Sequence, residues 1–279
     1  MRDFKGCILA CDVDGTLVSG DFLPEENIEK ISEFVSLGGT FALATGRSVG
    51  AVGAVLEKLK KYIGPSVVAN GCMIYDYSTD KVLGQKTIPD NVKKLVFEAA
   101  EKIDPTGVEI HNGFNTYVYK DDPEVRDHQS YEGLSGLIGS QDEIFKSDWN
   151  KALFTSVEPE TLLKIDEFFK ERCKDARCVP TNADIYGRKR HYREILPNGV
   201  NKASTLRDVL KLLNIKEGGF FAIGDYFNDI QMLSEADISA CPNDAPDEVK
   251  KSCDFLTKPA RYGAVADFID YLISKEIEK

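Results

Sequence analysis

The chain has 279 residues, 42% of them apolar and 29% charged, the balance of a water-soluble globular protein with room for one large domain or two modest ones. A formal net charge of −11 argues against non-specific binding to nucleic acid or to an anionic membrane surface, since both select basic patches. No apolar run is long enough to span a bilayer, and the N-terminus turns from Arg2, Asp3 and Lys5 straight into a strand, without the apolar core of a signal peptide. The seven cysteines are an odd number without metal-type spacing, so reduced thiols and a cytoplasmic location are expected.

Gly6 to Cys11 is an unbroken small-to-apolar run, which reads as a strand buried on both faces of a parallel sheet. It ends in Asp12, with Asp14 two residues on and Gly15 permitting the backbone to bend between the two carboxylates. Ligands of open α/β sheets bind beyond the carboxyl ends of the strands, which is where Asp12 falls. Glu25 to Leu37 reads as a helix with Ile28, Ile31, Phe34 and Val35 on one face, stopped by Gly38-Gly39. Thr40 to Ala44 is a second strand running into Thr45-Gly46-Arg47. A helix over 48–62 and a short strand over 66–69, ending in Asn70-Gly71, follow. This strand–helix alternation implies right-handed crossovers and a doubly wound parallel sheet.

From Tyr75 the rhythm changes. Met73 to Tyr77 and Val82 to Gln85 read as a hairpin leading outward, followed by a helix over 91–103. A second hairpin turns at Asn112-Gly113, and strand Lys151 to Val157 precedes a helix over 160–172. Strands over 176–180 and 191–196 close this antiparallel-leaning stretch. An inserted second domain over 86–190 is expected, with the core formed by 1–85 and 191–279. The parallel pattern resumes with a helix over 202–213, a strand over 219–223 ending in Gly224-Asp225, a short helix over 230–236, a strand over 238–241 and a closing helix over 264–277.

Four polar clusters therefore fall at or beside carboxyl ends of predicted parallel strands: Asp12/Asp14, Thr45/Arg47, Lys202, and Asp225/Asn228/Asp229. Singly each has a plain explanation, as a turn, a helix cap or a solvated lysine. Together they supply carboxylates for a hard divalent cation, an ammonium to offset phosphate charge and a hydroxyl to hydrogen-bond it. Phosphoryl transfer needs this combination, because an anionic nucleophile must approach an anionic phosphate.

Asp12-Val13-Asp14-Gly15-Thr16, Ala44-Thr45-Gly46-Arg47, Lys202 and Gly224-Asp225-Tyr226-Phe227-Asn228-Asp229 resemble the four ordered motifs of the haloacid dehalogenase superfamily. The insertion, Asn70-Gly71 and the run from Glu194 to Lys202 are similar to the Cof-type (IIB) subfamily, which implies an α/β cap of the C2B type. Cys72 and Ala203 stand where that family more often has Ala and Gly. The resemblance implies that Asp12 is the nucleophile that forms an aspartyl phosphate and Asp14 the general acid, then base. It implies Mg²⁺ held by Asp12, the Asp14 carbonyl and Asp225, with Asp229 in support. Thr45, Gly46 and Lys202 would bind the phosphoryl group, Asn228 its edge, and Arg47 and Asn70 the substrate side.

The cap is expected to set specificity by closing over the site. Its most basic stretch, Arg188 to Arg193, offers Arg188 and Arg190 as contacts for a polar or anionic part of the substrate. A strand edge protected by charge explains the same residues. His111 and His128 show no partner in the sequence and read as structural or surface residues. The expected function is a Mg²⁺-dependent phosphatase of small phosphorylated metabolites, sugar phosphates first, acting as a monomer or small homo-oligomer. A phosphomannomutase-like phosphotransferase is the alternative enzyme. A phospho-aspartate signalling receiver or a non-catalytic binding protein are the alternatives of other classes; a receiver leaves the long insertion without a purpose, and a binding protein leaves the charged set idle.

Overall fold

The computed structural model describes residues 3–185 and 188–275, with the side chains of 53–55, 182–185, 188 and 189 outside the description. In chain order the elements are β1 (Ile8–Cys11), α1 (Glu25–Ser36), β2 (Thr40–Leu43), α2 (Val49–Leu56), β3 (Pro65–Val68), β4 (Met73–Asp76) and β5 (Lys81–Gln85). Next come α3 (Asp90–Lys102), β6 (Gly107–His111), β7 (Thr116–Lys120), α4 (Pro123–Glu132), α5 (Gln141–Lys146), β8 (Lys151–Thr155), α6 (Pro159–Arg172), β9 (Ala176–Ile185) and β10 (Arg188–Pro197). The chain finishes with α7 (Lys202–Leu212), β11 (Phe220–Ile223), α8 (Ile230–Glu235), β12 (Ile238–Pro242), α9 (Asp247–Lys250), β13 (Phe255–Thr257) and α10 (Ala264–Ser274). These elements fall into two units: Met1–Gly46, Val55–Gly84 and Asn201–Lys279 form the first, Arg47–Ala54 and Gln85–Val200 the second.

The first unit is built on a parallel sheet of order β13-β12-β11-β1-β2. β1 is buried at all four positions, as its apolar run requires. Alternate side chains go to opposite faces: Ile8 and Ala10 meet Leu206 and Val209 of α7 and Met232 and Leu233 of α8 in one apolar cluster. α1 packs with α10. Asn27 of α1 is fully buried between them, donating to the Leu17 carbonyl at 3.0 Å and accepting from the Ala266 N–H at 2.9 Å. The loop after β1 is thereby tied to both helices. The alternating parallel core read from the sequence is present, with one difference. β3 is tied to β2 by the Leu43 N–H donating to Ser66 Oγ at 2.9 Å and by isolated parallel bridges beside the strands, Phe41 to Ile63 and Ala44 to Val67, and belongs to a three-stranded sheet β3-β4-β5 in which β3 and β4 are antiparallel.

The second unit carries a sheet of order β7-β6-β8-β10-β9, antiparallel at every pairing. It extends to Val200, past the expected return at 191, because β10 pairs with both β8 and β9. The helix expected over 48–62 is also shorter, ending at Leu56 with a separate single turn at Lys60–Tyr62. One face of the sheet is apolar: Val108, Ile110, Ala152, Phe154 and Ile195 pack against α3 and α6.

The period of two then puts Glu109, His111, Lys151 and Glu194 on the other face, where α4 brings His128 and Glu132. Both histidines are buried and share one carboxylate oxygen: Glu109 Oε2 lies 3.1 Å from His111 Nε2 and 2.9 Å from His128 Nδ1. His111 Nδ1 is 3.1 Å from the Thr116 hydroxyl, and His128 Nε2 is 3.5 Å from Glu132 Oε1. Lys151 pairs with Glu194 at 2.9 Å.

Burial opposes the imidazolium of His128, yet Glu132 and Glu109 outweigh it and raise its pKa from 6.5 to about 10. His111, buried beside the Lys151 charge, is held below the ordinary histidine value, so it is the neutral member of the pair. Burial pushes Glu109 up, but His128 and His111 bring it down to about 2. A histidine with a raised folded pKa stabilises fully below its unfolded value, and the contribution is lost as pH climbs through the folded value. His128→Gln should therefore cost roughly 3 kcal/mol at pH 6, with the difference from the parent shrinking steadily toward pH 10. Urea midpoints across that range test it; a pH-independent difference would contradict a charged His128.

Candidate active site

Register brings the polar clusters of the first unit to one level. Cys11 lies opposite Leu43 on one side and Ile223 on the other, so Asp12, Ala44 and Gly224 are the next residues of three adjacent strands. The Asp12 N–H donates to the Ile223 carbonyl at 2.9 Å and the Ala44 N–H to the Cys11 carbonyl at 2.8 Å, which clamps the end of β1 on both sides. Each strand then leaves the sheet in its own loop beyond the carboxyl edge.

Lys202 is the centre of charge. It is the first residue of α7, whose N-cap Asn201 accepts from the Ser204 N–H at 2.7 Å and receives the Ser204 side chain in return. Its ammonium bridges Asp12 Oδ1 at 2.7 Å and Asp229 Oδ1 at 2.8 Å, and the three side chains are buried together. Asp229 Oδ2 accepts from the Tyr226 N–H at 3.1 Å, so both oxygens of that carboxylate are engaged by protein groups. Asp225 Oδ1 accepts from the Thr16 hydroxyl at 2.9 Å. Asp12, Asp225 and Asp229 offer oxygens that all lie within 4.8 Å of one another.

Three carboxylates around one ammonium leave an excess of negative charge in a dry site. Burial, with Asp229, Asp225 and Asp14 adding repulsion, pushes the Asp12 carboxyl well above the usual range despite Lys202. Burial and Asp229 push Asp225 up to about 7. Burial works against the Lys202 ammonium, but Asp12 and Asp229 prevail and hold it above the ordinary lysine value. The donor set is all oxygen, hard and net anionic, which suits Mg²⁺. Gly15, at φ +79°, marks how closely the loop is drawn to that set: a Cβ there would sit 2.3 Å from Asp225 Oδ2.

The remaining predicted residues divide between the units. Asp14 is half-buried, in the turn closed by the Gly15 N–H to the Val18 carbonyl at 3.0 Å. Thr45 is buried beyond β2, its carbonyl accepting from the Asn70 N–H at 3.0 Å. Asn70 adopts the left-handed region at φ 53°, and its Oδ1 lies 3.0 Å from where a Cβ of Gly46 would be, so glycine lets the two turns meet. Gly71, at φ +97°, lies against the Asn201 carbonyl, and its own carbonyl accepts from Thr205 at 2.7 Å. This contact fixes the turn carrying Asn70 to the helix carrying Lys202. Asn228 is exposed on the single turn Phe227–Asp229.

Arg47 and Arg190 belong to the second unit. Arg47 is buried, donates Nη1 to the Ala51 carbonyl at 3.2 Å and lies over the Tyr131 ring at 5.7 Å. Arg190 pairs with Glu124 at 2.6 Å and also with Asp127, so its charge is met within its own unit. The Arg188 side chain lies outside the described residues. Thr16 was not singled out from the sequence, although it stands in the same motif as Asp12; its bond to Asp225 spans 209 positions and has no local signature. The buried Glu109–His128 pair was equally invisible, since its members lie 19 positions apart on a strand and a helix.

A family model of haloacid dehalogenase-like hydrolases matches residues 9–269. The chain is 25% identical to the Bacillus subtilis protein YkrA over 262 residues, covering 91% of this chain and 93% of that one. It is 26% identical to the 5-amino-6-(5-phospho-D-ribitylamino)uracil phosphatase YwtE of Bacillus subtilis over 290 residues, covering 95% and 98%. Among solved structures, the HAD subclass IIB sugar phosphatase BT4131 superposes with a TM-score of 0.80 at 20% identity, covering 95% of this chain and 98% of that one.

Proposed function

The chain belongs to the haloacid dehalogenase-like hydrolases and is a phosphatase of that family; on that premise we propose that it is Mg²⁺-dependent, hydrolyses phosphomonoesters of small metabolites through an aspartyl phosphate, and takes sugar phosphates as its main substrates. The observation that carries this reading is the buried bridge of Lys202 between Asp12 and Asp229, with Asp225 within reach of both carboxylates. The phosphorylated ribityl compound named for one relative and the sugar phosphatase among the structural neighbours support the substrate class.

Asp12, at the clamped end of β1, attacks phosphorus with a carboxylate oxygen, and the ester P–O bond breaks. Asp14, two residues on and less buried, donates a proton to the departing oxygen; once the alcohol has left, the same carboxylate takes a proton from the water that cleaves the phosphoenzyme. Lys202 holds Asp12 in place and meets a phosphoryl oxygen, while Thr45 and Asn228 donate to the others. Asp12, Asp225 and the Asp14 carbonyl, with Asp229 in support, would hold Mg²⁺, which would supply the positive charge that lets two anions approach. Thr16 keeps Asp225 turned toward that position.

A screen of phosphorylated metabolites for release of inorganic phosphate tests the reading. Release with Mg²⁺ that falls at least about 100-fold in EDTA and returns on adding Mg²⁺ is expected. Activity indifferent to chelation would overturn the metal assignment, and an isomerised product without free phosphate would move the chain to the phosphomutases.

A further inference from the structure

Away from the catalytic loops, the first unit sets two sulfurs side by side. Cys241 lies in β12 and is fully buried; Cys253 lies in the turn entering β13 and is half-exposed. Their sulfurs are 3.0 Å apart, as free thiols. The backbones around them are fixed as neighbours: Ala240 lies opposite Phe255, and the Asp254 N–H donates to the Ser239 carbonyl at 3.0 Å. Ser239 is also held by the Asp254 carboxylate, which accepts from its N–H at 2.8 Å and its hydroxyl at 3.0 Å. A disulfide needs about 2.05 Å between sulfurs and side chains that converge from adjacent backbones, so closure here asks for about 1 Å of side-chain movement.

The two thiols differ in the way a reactive and a resolving sulfur do. Cys253 is the more accessible residue of the two, and its contact with Cys241 lowers its pKa, favouring the thiolate that reacts. The contact with Cys253 and burial raise the Cys241 value, which keeps it protonated until it is needed.

We propose that Cys241 and Cys253 form a peroxide-responsive thiol pair that closes reversibly to an intramolecular disulfide. The Cys253 thiolate attacks one oxygen of hydrogen peroxide; the O–O bond breaks, hydroxide leaves and takes a proton, and Cys253 becomes a sulfenic acid. The Cys241 sulfur then attacks the Cys253 sulfur as its proton is lost, expelling hydroxide that leaves as a second water. Two thiols are oxidised by two electrons, and one peroxide is reduced to two waters.

The test uses the full chain, treated with hydrogen peroxide, quenched with catalase, then unfolded in N-ethylmaleimide and weighed intact. With seven cysteines and two joined, five maleimides should add to the treated protein, and seven after dithiothreitol. Proteolysis should yield a peptide joining Cys241 to Cys253. In Cys241→Ser, peroxide should leave a sulfenic acid on Cys253 that dimedone captures, which shows the order of attack. Seven maleimides on treated wild type, a cross-link between other cysteines, or Cys253 driven to sulfinic acid without a cross-link would each overturn the proposal.

Discussion

Asp12→Ala is expected to reduce phosphate release by about 10⁴-fold or more while the protein remains folded, because the covalent route loses its nucleophile. The fold should survive for an electrostatic reason. Asp12 is buried among Asp225, Asp229 and Asp14, all of which push against its charge, so its ionised form strains the folded state. Removing it relieves that repulsion, and Lys202 keeps Asp229 as partner at 2.8 Å. Asp14→Ala should also lose nearly all steady-state turnover, but with a different time course. An activated ester such as p-nitrophenyl phosphate needs little acid assistance, so one equivalent of p-nitrophenol should appear rapidly before turnover stalls on the phosphoenzyme. A burst in Asp14→Ala and none in Asp12→Ala separates the two roles; equal slow rates without a burst would remove Asp14 as the base for hydrolysis. Circular dichroism spectra should match the parent in both variants, and neither thermal midpoint should fall below it.

Lys202→Met should be the most destabilising substitution in the site. The ammonium is 2% exposed and compensates two buried carboxylates, so its loss leaves both without a counter-charge. Breaking a buried pair from one side costs about 3–5 kcal/mol, more than the pair itself contributes against an apolar replacement. Urea denaturation in EDTA is the measurement, since a bound cation would mask part of the loss. Adding Asp229→Asn to Lys202→Met should recover part of the stability, because it removes one stranded charge, yet recover none of the activity. If the double variant were no more stable than the single one, the cost would lie in packing around the lysine stem instead.

Most of the candidate site was legible because polar residues at the end of a buried strand leave a local mark. Asp12 and Asp225 each follow an apolar run, and strand order alone brings such positions to one level; Lys202 instead opens helix α7 behind its Asn201 cap. The second unit was legible only in outline. β10 extends through Pro197 as an antiparallel partner of β8 and β9, a pairing that alternation within residues 191–196 cannot specify. Helices α4 and α5 were missed although each carries a start signal: Asp122 caps α4 ahead of Pro123, and Ser140 with Glu143 forms a capping box on α5. Each buries a single apolar residue, Val125 in α4 and Ile144 in α5, so no apolar periodicity marks them. The polar face of the cap sheet was hidden for a further reason. Glu109 and His111 look like surface positions of an alternating strand until α4 covers them.

The bridge from Lys202 to Asp12 spans 190 positions, and Asp229 follows 27 positions later. On the ribosome Asp12 is thus made well before Lys202 and must wait for its counter-charge until the segment between them has emerged. During that interval the lone acidic strand end has neither its ammonium nor a full set of metal oxygens. A nascent fragment that stops before Lys202 carries the Asp12 carboxylate without its ammonium, so the proposed hydrolysis waits until the Asp229 turn has been made.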